Sequence, residues 1–504
     1  MISVLRFALV CTACVLFCSG AQAQITAEDV WADWKAYVTS FGYSVSGQET
    51  PTSGGLTVTG VSMASTGDAS LGAATVFMDQ IVLTNNADGS VSIDLPAVMP
   101  IEMTAPNEVG GSTRISMDYR HNAIEILAAG TPENLNYNYS AASVTLVSTG
   151  YEVDGQLLSA DTNRILIEFG PLTGMTSMTL DSQRRYDQTV QVDSIRYDLR
   201  AEDVSSGASS AITGQTQSVT FEGASTVPLR PIDPSDMDAM FAAGFSADGT
   251  FAYSANALDV TAKGSSGASQ GTVLSGEGTL GVSMGQDGLT YDAVQNDVKV
   301  ELNSDQFPVP LSLGVAESRF NLATPVGPSD MADDFALGFR LDGFSISDAI
   351  WNMIDPSGQV PRDPALLALD LTGKARLLFD LFDPASATLA DEAIGVPAEL
   401  ERLDVNDLQF SAGGAKLTGS GGFDFETPDG GLPMPKGAID LKLTGANALI
   451  DKLVESGLLP QDQAVGARLM MGLLAVPGQG PDTLTSRIEI NDEGHVLANG
   501  QRIR

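Results

Sequence analysis

The chain has 504 residues, and its 63 Asp and Glu against 26 Lys and Arg give a formal net charge of -37. So much negative charge repels nucleic acid and anionic lipid headgroups and keeps a protein in solution; adaptation to a salty medium is the plain reading, an acidic docking surface the alternative. An apolar share of 43% is ample for a core and excludes wholesale disorder, while frequent Gly, Ser, Thr and Val favour strands.

A lone cation at Arg6 precedes an apolar run over residues 7–17, and Ala21-Gln22-Ala23 follows as a small-residue cleavage site. The run is too short for a permanent membrane helix, and its flanks are those of a secretory signal peptide over residues 1–23. The mature chain is therefore expected to begin at Gln24 in a bacterial periplasm. Cys11, Cys14 and Cys18 all lie in that segment, which leaves no thiol for disulfides, metal binding or nucleophilic catalysis. Phe17 speaks against a lipid anchor on Cys18. No later stretch reaches the ~20 apolar residues of a transmembrane helix.

The length predicts several domains or one long continuous sheet, since single cores stop growing near ~250–300 residues. Residues 24–230 read as an N-terminal β-rich domain that opens with an amphipathic helix. Thr26 can cap that helix, Val30, Trp34, Tyr37, Val38 and Phe41 share one face, and Gly42 ends it. The stripe reads as core; a docking or membrane-surface face is the alternative, and Asp33 with Lys35 gives it no basic flank.

Beyond the helix, segments 91–95, 298–302, 439–443 and 488–490 alternate apolar and polar residues, as half-buried antiparallel strands do. Hairpin signals punctuate them at Asp88-Gly89, Asp154-Gly155, Asp248-Gly249, Asp287-Gly288, Asp342-Gly343 and Asp429-Gly430. The expected class is mainly β: repeated antiparallel sheets and hairpins forming an elongated two-part body with a few short capped helices.

An internal duplication follows a proline-rich boundary at Val227-Pro228-Leu229-Arg230-Pro231. Pro234-Ser235-Asp236-Met237, Phe241, Gly244-Phe245 and Asp248-Gly249 recur at constant offset as Pro328-Ser329-Asp330-Met331, Phe335, Gly338-Phe339 and Asp342-Gly343. Ser235 and Ser329 suit N-caps and Gly244 and Gly338 suit helix stops, so each copy reads as a short helix feeding a hairpin. Residues 231–325 hold the first copy; residues 326–504 hold the second and a C-terminal β-rich region. In that region Asn447 is expected to cap a helix ending at Gly457, and Pro460 precedes a second helix through Val465, Leu469 and Leu473. A strand pair around Glu493-Gly494 follows.

The opening Thr26-Ala27-Glu28-Asp29-Val30-Trp31-Ala32-Asp33-Trp34 with Phe41-Gly42-Tyr43, and the tail through Leu417-Thr418-Gly419-Ser420-Gly421, Pro435-Lys436-Gly437 and Gly494-His495-Val496, resemble the alphaproteobacterial family catalogued as domain of unknown function 2125. The resemblance implies export and covers most of the mature chain; it brings no catalytic or binding residues. The rhythm of residues 410–443 is also similar to AsmA-like envelope proteins, whose β-sheet grooves are associated with lipid traffic, although this chain is much shorter than their large members.

Candidate chemistry is sparse. Gly281-Val282-Ser283-Met284-Gly285 matches a nucleophile elbow, but Gln286-Asp287-Gly288 supplies a hairpin turn where an elbow needs a helix, so it reads as a strand. His121 and His495 are the only histidines and lack ligand spacing; both read as solvated turn residues. Asn85-Asn86-Ala87-Asp88-Gly89 and Asn491-Asp492-Glu493-Gly494 offer hard oxygens without the spaced Glu of a calcium loop. Gly54-Gly55 and Gly413-Gly414 lack the Lys of a phosphate loop. No catalytic, cofactor or metal residues are assigned, and ligand-binding residues stay unassigned.

The expectation is a non-enzymatic, periplasmic envelope protein that binds a lipid or other hydrophobic ligand on an extended β-sheet. A module holding a periplasmic protein partner is the alternative, and a hydrolase using Ser283 ranks lowest. Strand faces sealed against each other favour a scaffold; an open groove favours lipid.

Overall fold

The computed structural model describes residues 24–65, 72–107, 111–203, 206–230, 232, 236–382, 398–426 and 434–504. The expected signal peptide with its cysteines, Pro231, Pro234-Ser235 and Asp429-Gly430 lie outside them. Helix α1 (Ala27–Ser40) opens at Thr26, whose side chain accepts the Asp29 N–H while the Asp29 carboxylate accepts the Thr26 N–H, a reciprocal cap. The Ala27 N–H is satisfied from afar by Asn85 Oδ1 at 2.8 Å. Gly42, at φ 78°, takes the left-handed turn that ends the helix. Val30 and Trp31 are fully buried, with Trp34, Tyr37 and Phe41 half-buried against the same core.

All the described strands belong to one antiparallel sheet. It starts with β1 (Tyr43–Thr52), β2 (Gly55–Ser65) and β3 (Ala73–Asn85). From β3 two lanes run side by side. One contains β4 (Val91–Asp94), β7 (Glu125–Thr131), β8 (Asn134–Ala141) and β12 (Leu172–Leu180); the other contains β5 (Val98–Pro106), β6 (Ser112–Asn122), β9 (Ser143–Val153) and β11 (Arg164–Phe169), with β10 (Gln156–Leu157) added to β9.

Both lanes end on the long β13 (Arg184–Asp203), which pairs along its length with β14 (Ala208–Val227). The sheet splits again into β15 (Ser246–Tyr253) with β18 (Gly278–Gly285), and β16 (Ala255–Gly264) with β17 (Gly267–Ser275). β19 (Gly288–Ser304) rejoins them. Then β20 (Leu311–Thr324), β21 (Asp333–Ile346), β22 (Ala365–Leu377), β23 (Ala398–Ala412), β24 (Ala415–Glu426) and β25 (Met434–Thr444) follow in order. β27 (Thr483–Ile490) pairs β25, and β26 (Val476–Pro477), β28 (Val496–Ala498) and β29 (Gln501–Arg502) finish that end. Hydrogen bonding crosses residues 230 and 325 without a break, since β14 pairs β15 and β20 pairs β21.

A seam runs across the sheet where the lanes divide. Gly60, Ala123, Ser218, Asp297 and Gly343 lie along it, all with φ between 50° and 67°. Each inserts a left-handed residue, and in the long strands it reverses which parity faces which side. In β19 the inward set is Leu289 and Tyr291 before Asp297 but Val298, Val300 and Leu302 after it. In β21 it passes from Leu337, Phe339 and Leu341 to Phe344 and Ile346 across the bulge at Gly343. A bulge of this kind bends its strand, so the seam is a crease that keeps apolar side chains of both lanes on one face.

Three local expectations need correction. The first copy of the duplication forms α2 (Met237–Ala242), capped by Asp236 through the Ala239 N–H at 2.9 Å. The second forms no helix: residues 333–346 are β21, paired on both sides, and this pairing overrides the local helix signal. Ser329 merely closes a turn onto Met331, and Gly338 lies mid-strand where the Asn321 side chain would collide with a Cβ. Asp248-Gly249 likewise lies within β15 and Asp342-Gly343 at the bulge, whereas Asp88-Gly89, Asp154-Gly155 and Asp287-Gly288 do turn the chain. A short α3 (Asp348–Ile354) was without a sequence signal.

The third correction concerns the C-terminal pair, α4 (Ala446–Glu455) and α5 (Gln461–Leu474). Gly445, left-handed at φ 75°, holds the N-cap position of α4, and the cap itself comes from Asp482, not Asn447. Its carboxylate accepts the Ala448 N–H at 3.0 Å and the Asn447 side chain at 2.8 Å. Burial pushes the Asp482 pKa up, but these hydrogen bonds outweigh it and hold the carboxyl below its ordinary 3.8. The cap therefore contributes in full well above that value and fades as pH falls through the lower folded value. Asp482→Ala should cost about 1 kcal/mol and speed hydrogen exchange at Asn447 and Ala448; unchanged exchange would show that the helix start does not depend on this carboxylate.

Candidate ligand groove

The N-terminal end of the sheet is sealed by α1. Leu56, Leu83 and Ile93 stand opposite one another on the face beneath it and are 2%, 1% and 2% exposed. α1 is fastened there by Asp33, itself buried, whose carboxylate is ion-paired with Arg184 and accepts the Tyr137 hydroxyl at 2.7 Å. Burial first, and then the Asp33 charge, pushes the Tyr137 hydroxyl far above its ordinary pKa, so it stays protonated and donating. Beside this latch Trp34, Tyr37, Tyr137, Tyr139 and Tyr186 line a mainly apolar pocket of about 240 Å³.

The same face continues beyond α1, and there it opens. Val190, Phe221, Phe251, Leu280, Ala293, Phe320, Phe339, Leu369, Leu408, Gly419 and Leu441 stand opposite one another in turn, the row crossing β13 to β25. Phe251 is 49% exposed, Phe320 37% and Phe339 38%. A second row, Tyr291, Leu322, Leu337, Leu371, Val405, Gly421, Ile439 and Ile488, runs beside it. Ten strands from β14 to β25 at ~4.8 Å spacing make the open row about 43 Å long. The opposite face is polar: Glu222, Thr250, Gly281, Asp292, Asn321, Gly338, Asp370 and Asp407 occupy the row behind.

Glycines keep the floor of this face low. Tyr139 lies over its cross-strand partner Gly174, Tyr253 over Gly278 and Phe335 over Gly373, where a Cβ would collide with the ring. The rings thereby lie against the sheet instead of standing across the trough. Gly174→Ala should lift Tyr139 into the pocket beneath α1 and destabilise by about 1–3 kcal/mol; urea unfolding checks the cost, and no change would mean that the ring has free room to move.

A family model described as "Uncharacterized protein conserved in bacteria (DUF2125)" matches residues 195–500. The chain belongs to this DUF2125 family. The match takes in the open trough from β14 onward together with the expected tail motifs; the opening motif at residues 26–43, and with it α1 and the latch, lies outside the matched residues. No curated protein and no solved structure matches the chain.

Within this DUF2125 chain, the sequence-selected residues do not converge. Ser283 is exposed on β18, on the polar side, between the inward Val282 and Met284. His121, expected in a solvated turn, lies instead within β6, paired with Val144 and partly buried, with Nε2 3.0 Å from the Pro96 carbonyl, whereas the His495 N–H donates to Asn491 Oδ1 at 2.9 Å in the last turn. Asp88 accepts the Ser90 N–H at 3.1 Å, an ordinary turn contact. Gly54-Gly55 and Gly413-Gly414 are hairpin tips. Among the described residues no cluster of His, Cys, Asp and Glu is placed to hold a metal, and no helix is long and apolar enough to cross a membrane. What sequence reading missed is Asp33, taken for part of a polar flank. Its partner Arg184 is 151 positions away, and only an acid on the helix's otherwise apolar side could have hinted at it.

Proposed function

We propose that this protein is an exported, non-enzymatic envelope component that holds a lipid, or another long apolar molecule, along the open face of its sheet. The observation carrying the reading is that the face sealed under α1 continues as an apolar row in which, among the described residues, Phe251, Phe320 and Phe339 are each more than a third exposed. This holds even though α2 and the turn after it pack Phe241 and Phe245 over the margin of that face at Ala247, Met284 and Leu289. Soluble proteins rarely leave large contiguous apolar patches bare unless something binds there. An open row of about 43 Å exceeds the ~30 Å hydrocarbon thickness of a bilayer and so accommodates acyl chains lying end to end.

Native mass spectrometry of protein purified without detergent tests this, with acyl-chain species expected to remain bound; their repeated absence would overturn it. Export is tested separately by sequencing the mature N-terminus from a bacterial periplasmic fraction. Gln24 is the expected first residue, and an intact Met1 would refute processing.

A further inference from the structure

We infer that α5 docks the protein onto a bilayer surface of zwitterionic lipid at the C-terminal mouth of the trough, an inference that rests on the lipid reading above. The helix buries only Ala464, while Val465, Leu469, Met470 and Leu473 point into solvent, Leu469 at 72% exposure. Positions 465, 469 and 473 repeat every four residues and form one stripe without a charge. Arg468, next to Leu469 in the chain, is ion-paired with Asp451 of α4.

The place of this stripe relates it to the trough. The Leu474 carbonyl, at the end of α5, accepts hydrogen bonds from Ser486 Oγ at 2.5 Å and Asn499 Nδ2 at 3.0 Å. Ser486 stands opposite Leu441, the last apolar member of the open row. The bare stripe thus begins where the apolar row ends, and a chain leaving the trough meets the helix next.

A second copy is a poorer occupant. Four side chains present on the order of 400 Å², so two stripes face to face would bury about 800 Å², below the ~1,000 Å² of a stable interface. A bilayer accepts such a stripe at its headgroup boundary. The net charge of -37 selects against anionic surfaces and leaves zwitterionic ones.

The test is flotation of the full mature chain with phosphatidylcholine vesicles, with hydrogen exchange over residues 461–474. The wild type should float and gain protection there, and adding phosphatidylglycerol should reduce flotation. Leu469→Glu with Leu473→Glu should lower the floated fraction at least tenfold while co-purified lipid stays unchanged, and Val465→Glu should act in the same direction. A wild type that stays unbound, or a double variant that floats like it, overturns the proposal. So does a variant that loses co-purified lipid yet floats normally, because the stripe would then belong to the trough lining. Flotation without any co-purified lipid refutes the trough reading alone.

Discussion

Asp33→Ala is expected to lower the unfolding free energy by about 3 kcal/mol, the low end for breaking a buried ion pair by removing one partner. The substitution leaves the Arg184 guanidinium, only 18% exposed, without its carboxylate and the Tyr137 hydroxyl without its acceptor. Truncating an unpaired charge should reverse much of this, so Arg184→Met in the Asp33→Ala background should recover stability, and a double-mutant cycle in urea measures the coupling. Hydrogen exchange should localise the loss to α1 and the strands beneath it. An Asp33→Ala cost within ~0.5 kcal/mol would mean that apolar packing of Val30 and Trp31 alone holds the helix.

Phe320→Asp combined with Phe339→Asp should cut co-purified lipid at least tenfold. The two rings are cross-strand neighbours on the open row, and two carboxylates there confront an acyl chain with groups that lose hydration on contact. The fold should persist, because both positions are more than a third exposed and the charges can remain in water. Asn321→Asp is the matched control: it adds a carboxylate one residue away but on the polar face, and it should leave lipid content unchanged. Equal loss in control and double variant would mean that charge, not the identity of the face, governs binding.

Much of this architecture is legible in the amino-acid order. Alternation in residues 298–302 and 439–443 marks inward and outward positions directly, because side chains on a strand change sides at every step. The start of α1 is equally plain, since Thr26 and Asp29 cap each other locally. The crease is not legible: Ser218 and Asp297 adopt positive φ that their identities do not announce, and each reverses parity within a strand of 17 or more residues. The second copy of the duplication misleads for a related reason, because Phe335 and Gly338 answer to partners in β20 and β22 and not to local preference. The openness of the face is also beyond sequence, since Leu83 and Phe320 look alike until the position of α1 distinguishes them.

From β20 to β24 every strand pairs only with its immediate predecessor and successor in the chain. That stretch behaves as a ruler: inserting or deleting one hairpin would change its reach by about 10 Å and leave strands farther away in unaltered surroundings. Capacity can therefore be adjusted by counting hairpins, so homologues differing in length within this interval would carry cargo of different span on the same cross-section.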